Sequence, residues 1–153
     1  MNFKTIFHYI SYIQYPLMLV ALIFLFKPYS MGIDYIMEHP NLFFENLNTV
    51  LIFMGLGTSF SSLQDTTKTQ NNFSKRIWES PTKGKIFIAL LCLLILFFLI
   101  IGLTGYLTIN RGILRNISVG MIVFGLGMFG FLKAAIEMFE NHRKDKNVFT
   151  HEN

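Results

Sequence analysis

The four histidines are the side chains best suited to hold haem iron or another metal, because imidazole is a common ligand for both. They are His8, His39, His142 and His151. A site inside a helical bundle needs ligands that face each other at one depth. These histidines fall at or beyond the ends of the long apolar segments, with His39 at the opposite end from the others. The sequence therefore predicts no haem, metal or other cofactor.

Hydroxyl side chains are the next candidates for chemistry, since four of them end the second apolar segment. They are Thr58, Ser59, Ser61 and Ser62. A hydroxyl becomes a useful nucleophile only beside a general base, and no His or Lys follows at motif spacing. No Walker-type phosphate-binding pattern occurs either. We therefore expect a non-enzymatic protein whose hydroxyls bond to their own helix or to a neighbouring one.

The composition of the chain indicates a membrane protein. The chain has 153 residues, of which 52% are hydrophobic and only 14% charged, and it contains 17 Phe. Soluble domains carry roughly 25% charged residues. A lipid phase accommodates the excess of apolar side chains without burial in a core. The net charge of +4 then suits contact with lipid headgroups rather than with nucleic acid, for which no basic stripe with stacking aromatics is present.

The clearest apolar segment is 86–106. It has 21 residues and no charge, and 15 of the residues are Leu, Ile or Phe. At roughly −0.3 to −0.6 kcal/mol each, that run favours membrane insertion by about 5–9 kcal/mol. Its length also matches a hydrocarbon core about 30 Å thick. The segment predicts a transmembrane helix.

Three further segments complete a predicted all-α integral membrane protein with a four-transmembrane-helix bundle in a single domain. The first carries Tyr9, Tyr12 and Tyr15 near one end, and Pro16 is expected to kink it. The second is the most polar, with Glu45 and Asn48 near its start, so we expect it inside the bundle. The predicted spans are 7–26, 42–62, 86–106 and 117–139, with a cytoplasmic loop at 63–85 and a cytoplasmic tail at 140–153.

The distribution of Lys and Arg predicts the orientation, because cytoplasmic loops are enriched in both. Three lie on one predicted side: Lys27, Arg111 and Arg115. Nine lie on the other: Lys4, Lys68, Lys75, Arg76, Lys83, Lys85, Arg143, Lys144 and Lys146. Both termini are therefore expected in the cytoplasm (N-in/C-in), in the plasma (inner) membrane.

Small residues indicate where the helices pack, since helix association in lipid depends on close approach. The fourth span alternates glycine and phenylalanine at seven-residue spacing, and the second has small residues four apart. These helix-packing candidates are Gly120, Phe124, Gly127, Phe131, Ala134, Gly55, Gly57 and Ser59. They either join helices of this chain or recruit a partner subunit. Residues 52–57 and 122–127 also share an I-x-x-G-L-G pattern, which raises the hypothesis of two tandem hairpins related by duplication.

A second group of candidates lies at the predicted inner membrane surface. In the loop, apolar and basic residues are spaced as in a short interfacial helix, and a Lys–Glu pair four apart ends the fourth span. These residues are Phe73, Lys75, Arg76, Ile77, Trp78, Lys133 and Glu137.

We expect an accessory or structural subunit that assembles with or regulates a larger membrane complex. Its partners would be membrane lipids and other membrane subunits, or a second copy through self-association. The alternative is a small oligomeric transporter or channel with a polar path along the second span, including Asn46, Asn48, Thr58 and Ser59.

Overall fold

The computed structural model describes residues 3–67, 72–108 and 112–147, and every regular element in these ranges is helical. Lys68, Arg111 and His151 lie outside the described residues, as does the end of the tail. Short 3-10 turns lie at Pro28–Met31 and Lys144–Asn147. The helices are α1 (Phe3–Ser11), α2 (Gln14–Phe26), α3 (Ile33–Glu38), α4 (Pro40–Ser61), α5 (Asn72–Trp78), α6 (Pro81–Leu107) and α7 (Ile113–His142).

Three helical stretches in the described residues are long and apolar enough to cross a membrane: Thr5–Met31, Pro81–Leu107 and Ile113–His142. Their apolar side chains largely face outward, and Leu93 and Ile100 of α6 are 64% and 61% exposed. Such surfaces suit a hydrocarbon solvent rather than water, and they indicate a membrane-embedded protein. The 22 residues of α4 are long enough as well, but Glu45, Asn46 and Asn48 dilute its apolar character.

The first apolar stretch is interrupted where the sequence predicts a kink. Helix α1 ends at Ser11 and α2 begins at Gln14. Pro16 has no N–H to donate to the carbonyl of Tyr12, and that carbonyl instead accepts a tight-turn bond from the N–H of Tyr15 at 3.1 Å. The expected kink near Pro16 is confirmed.

The long helices pack in the order α2, α4, α7, α6, each against its neighbour in the row. No extensive contact joins α2 to α6, or α4 to α6, among the described residues. Helices α4 and α7 run parallel, because Asn41 lies near Asn116 at one end and Ser62 lies near Gly130 at the other. The arrangement is an open row with two central helices, each flanked on two sides.

An apolar cluster covers one end of the long helices, where α5 packs on α6 and α7. Trp78 is only 6% exposed, and its ring meets that of Phe87 edge-on at 5.3 Å. Phe139 from α7 is equally buried and lies over Gly84 of α6, where a side chain would collide with its ring. The cluster therefore holds α5, a helix of only 7 residues, against the ends of the two longest helices.

Candidate functional site

The predicted glycine positions of α7 form the contact between the two central helices. A Cβ placed on Gly120 would lie 2.5 Å from the backbone oxygen of Asn48. One placed on Gly127 would overlap the carbonyl of Gly55, and one on Gly55 would lie 2.6 Å from the oxygen of Val123. These backbones touch directly, which only glycine permits. We call this contact, formed by Asn48, Gly55, Gly120 and Gly127, the central seam.

Asn48 adds a polar bond to the central seam. Its side-chain oxygen accepts a hydrogen bond from the N–H of Gly120 at 2.6 Å. Nearer the start of both helices, the side-chain amide nitrogen of Asn116 donates to the side-chain oxygen of Asn41 at 3.4 Å. From the sequence, Asn48 was expected to place its span inside the bundle or to line a polar path, but not to bond to Gly120. Its spacing from Gly55, seven residues or two helical turns, is the signal that could have placed both on one face.

The remaining packing candidates lie around the central seam in different directions. The Cα of Phe124 lies against Gly55, while its ring meets Phe98 of α6 edge-on at 4.8 Å. Gly57 faces Met18 of α2. Phe131 and Ala134 line a cavity of about 230 Å³ beneath α5, together with Trp78 and the residues that follow α4. The α7 face is therefore divided between two helices and a cavity.

Each central helix carries a Gly-Leu-Gly pair that serves two neighbours. Positions two apart in an α-helix point about 200° away from each other. Gly55 faces α7 and Gly57 faces α2, while Gly127 faces α4 and Gly125 faces Leu99 of α6. A two-fold relation between hairpins would require Gly125 to face α4, as its counterpart Gly55 faces α7. The shared pattern thus places glycines on two faces of each central helix, with the two positions exchanged between α4 and α7, and the duplication stays a hypothesis.

The glycines at 125, 127 and 130 also match the spacing of dinucleotide-binding loops, G-x-G-x-x-G. That motif works at a turn between a strand and a helix, where backbone N–H groups are open to phosphate. Here all three glycines lie inside the continuous helix α7. Their N–H groups belong to the helix, so the match carries no nucleotide-binding chemistry.

Three of the hydroxyl groups at the end of α4 bond to their own helix, as expected. Thr58 and Ser59 both donate to the carbonyl of Gly55, at 2.9 and 3.0 Å, and Ser62 donates to that of Ser59 at 2.7 Å. Asn46 likewise donates to Leu42 at 2.7 Å. The side chain of Asn48, by contrast, bonds to another helix, α7.

The predicted interfacial residues separate into buried and exposed groups. Trp78 is buried and donates from its indole N–H to Ser74 at 2.8 Å, and Ile77 is partly buried beside it. Arg76 is exposed, while Lys75 lies 3.8 Å from Glu79. Phe73 belongs to α5, but its side chain is outside the described part. Trp78 therefore anchors α5 to the protein rather than lying free on its surface.

The Lys133–Glu137 pair is confirmed, with 3.4 Å between ammonium and carboxylate. The hydroxyl of Thr66 also donates to Glu137 at 3.4 Å. This link connects the segment after α4 to α7 beyond the end of the central seam.

A charge contact that the sequence analysis missed joins α5 to the chain after α7. Lys144 lies 2.7 Å from the carboxylate of Glu79, and its backbone N–H donates to the carbonyl of the same residue at 3.3 Å. The hydrogen bond from Lys144 is the main cause that lowers the pKa of Glu79 below its ordinary value of 4.5. The two residues are far apart in sequence, so no local pattern predicts their contact.

No group of three or more metal-ligating side chains comes together within residues 3–67, 72–108 and 112–147. His8 instead contacts the hydroxyl of Tyr12 at 3.2 Å, and His39 stacks on Tyr35. The contacts described above join helices to one another. Comparisons of the chain with protein-family models, curated proteins and solved structures found no match.

Proposed function

We propose that the chain is a non-enzymatic integral membrane subunit that assembles with, stabilises or regulates a larger membrane complex. In this proposal α4 crosses the membrane as a fourth span, the termini are cytoplasmic, and the membrane is the plasma (inner) membrane. The glycines of α4 and α7 mainly join helices within the chain. Support for a partner therefore comes from the surface that the row leaves open.

The observation that carries the proposal is the position of α4. Among the described long helices it is absent from those apolar enough to count as a membrane span, yet it is central in a row in which α2 and α7 are the long helices beside it. The carboxylate of Glu45 is exposed on it, and so is Ser59, although the hydroxyl of Ser59 bonds to the carbonyl of Gly55. Polar groups that face hydrocarbon are costly, and membrane proteins usually direct them toward other protein surfaces. A partner subunit packed on the open side of α4 would cover them.

Purification of the tagged full chain in mild detergent tests this proposal. We expect a second membrane protein to co-purify in constant proportion and to be lost when Ser59 is replaced by a bulky Leu. Replacement of Ile100 by Phe, on the exposed side of α6, is the control and should leave the partner bound. A chain that runs alone as a monomer would contradict the proposal.

The orientation needs a separate test. Single cysteines placed at Glu38 and at Lys83, in a background with Cys92 replaced by Ser, would be labelled with a membrane-impermeant maleimide in intact cells. We expect labelling at position 38 and protection at position 83 until the membrane is opened. The reverse pattern would contradict cytoplasmic termini.

An oligomeric transporter with a polar path along α4 is less well supported. Asn48, Thr58 and Ser59 already satisfy hydrogen bonds within the chain. If they nevertheless line a path, Asn48→Leu or Ser59→Leu should abolish flux in reconstituted vesicles.

A further inference from the structure

A second cavity, of about 540 Å³, opens between α1, the segment after α4 and the last part of α7. Its described lining contains one ammonium group, from Lys133, and two carboxylates, from Asp65 and Glu137. Phe3 and Phe7 of α1 form an apolar wall on another side. The cavity therefore offers a positive group, negative groups and an apolar surface together.

The depth of the cavity matches that of lipid headgroups. Residues 116–132 of α7 carry no charge over 17 positions, a length of about 25 Å in a helix. Lys133 is the first charge after this run, and α4 ends at Ser61 beside the same cavity. If these helices cross a bilayer, the cavity lies where the hydrocarbon core gives way to the headgroup layer.

The two carboxylates are held in place from the protein side. Asp65 accepts hydrogen bonds from the N–H and the hydroxyl of Thr67, at 3.0 and 2.7 Å. Glu137 accepts one from Thr66 and lies 3.4 Å from Lys133. The side chain of Lys133 is 79% exposed, so its ammonium can contact a second anion beside Glu137.

We propose that this cavity binds a zwitterionic phospholipid with a primary amine, phosphatidylethanolamine. Lys133 would contact the phosphate, and Asp65 and Glu137 would accept hydrogen bonds from the ammonium group. The apolar part of the lipid would lie along Phe3 and Phe7. A choline headgroup has no N–H to donate to these carboxylates, and a glycerol headgroup has no ammonium group for them to bind.

Native mass spectrometry of the full chain, released from nanodiscs with equal amounts of ethanolamine, choline and glycerol phospholipids, tests the proposal. We expect the ethanolamine lipid to be retained at least threefold over each of the others. Equal retention of the three, or preference for the glycerol or the choline lipid, would overturn it.

Variants locate the binding to the cavity. Lys133→Gln and Glu137→Gln alter exposed groups and should each reduce the preference to less than twofold, and Thr66→Val provides a milder third change. Glu38→Gln and Lys27→Gln, in the segment between α2 and α4, are charge-matched controls that should keep it. A preference unchanged in all three cavity variants would exclude this site.

A soluble competitor separates a lipid from a free phosphoester. Glycerophosphoethanolamine has the same headgroup but no acyl chains, and we expect it to leave the lipid bound even at a hundredfold excess. Complete displacement would show that a soluble phosphoester is the ligand and would overturn the lipid assignment. Lipid retention is measured on the chain alone, so its outcome is independent of whether a protein partner co-purifies.

Discussion

The side-chain oxygen of Asn48 lies 2.6 Å from the backbone nitrogen of Gly120, whose N–H donates to it across the central seam. The absence of a side chain at Gly120 lets α4 approach closely enough for this bond. Gly120 therefore allows both the close packing of α4 on α7 and the hydrogen bond that the side chain of Asn48 accepts. The contact also explains how a helix with an Asn in its first half can be stabilised in an apolar environment.

Replacement of Asn48 by Leu should weaken the central seam. Interhelical hydrogen bonds in membrane proteins contribute about 0.6 kcal/mol on average and at most about 1.7 kcal/mol, so we expect a loss in this range, measured by reversible denaturation in mixed micelles. Asn46→Leu is the matched control, because Asn46 bonds to its own helix through Leu42. An equal effect of both substitutions would contradict the special role of Asn48.

Replacement of Gly127 by Ala should force α4 and α7 apart. The new methyl group would overlap the backbone of Gly55, which cannot move aside like a side-chain tip. Overpacking of this kind costs typically about 1–3 kcal/mol, which the same denaturation measurement would detect. Gly57→Ala is the control, because its methyl group would meet the flexible end of Met18 at 3.0 Å. A larger loss for Gly57→Ala than for Gly127→Ala would refute this account.

The single tryptophan, Trp78, should be shielded from lipid. It is 6% exposed within the cluster that holds α5, so phospholipids brominated on the acyl chain should quench its fluorescence only weakly. A Trp78→Phe, Phe97→Trp double variant provides the comparison, since Phe97 is 53% exposed on α6. Quenching of Trp78 as strong as that of the tryptophan at position 97 would place α5 in the bilayer.

Acidification should weaken the contact between α5 and the chain after α7. The pKa of Glu79 is lowered in the folded state, mainly by its hydrogen bond with Lys144. Its contribution to stability is therefore complete above the ordinary pKa of 4.5 and is lost as the pH falls through the lower folded value. We expect the melting temperature of the wild type to fall more steeply below about pH 4.5 than that of Glu79→Gln. Parallel pH profiles would argue against this link.

The helical segments were largely predictable because membrane insertion depends on local properties. The uncharged run 86–106 lies within α6, and Pro16 produced the expected interruption before α2. The Lys133–Glu137 pair could also be predicted from the sequence, since residues four apart in a helix are neighbours whatever surrounds them. In the same way, glycine spacing correctly indicated that α7 has close contacts, but it did not say with which helix.

An all-helical chain with long apolar segments was predictable, because hydrophobic run length and helix periodicity are properties of consecutive residues. Tertiary structure alone decided that the helices form an open row, that Gly120 and Gly127 meet α4 while Gly125 meets α6, and that Lys144 reaches Glu79. Those outcomes depend on how separate helices rotate and slide against one another, and small residues on several faces leave more than one such arrangement open. Only the complete set of contacts selects among them.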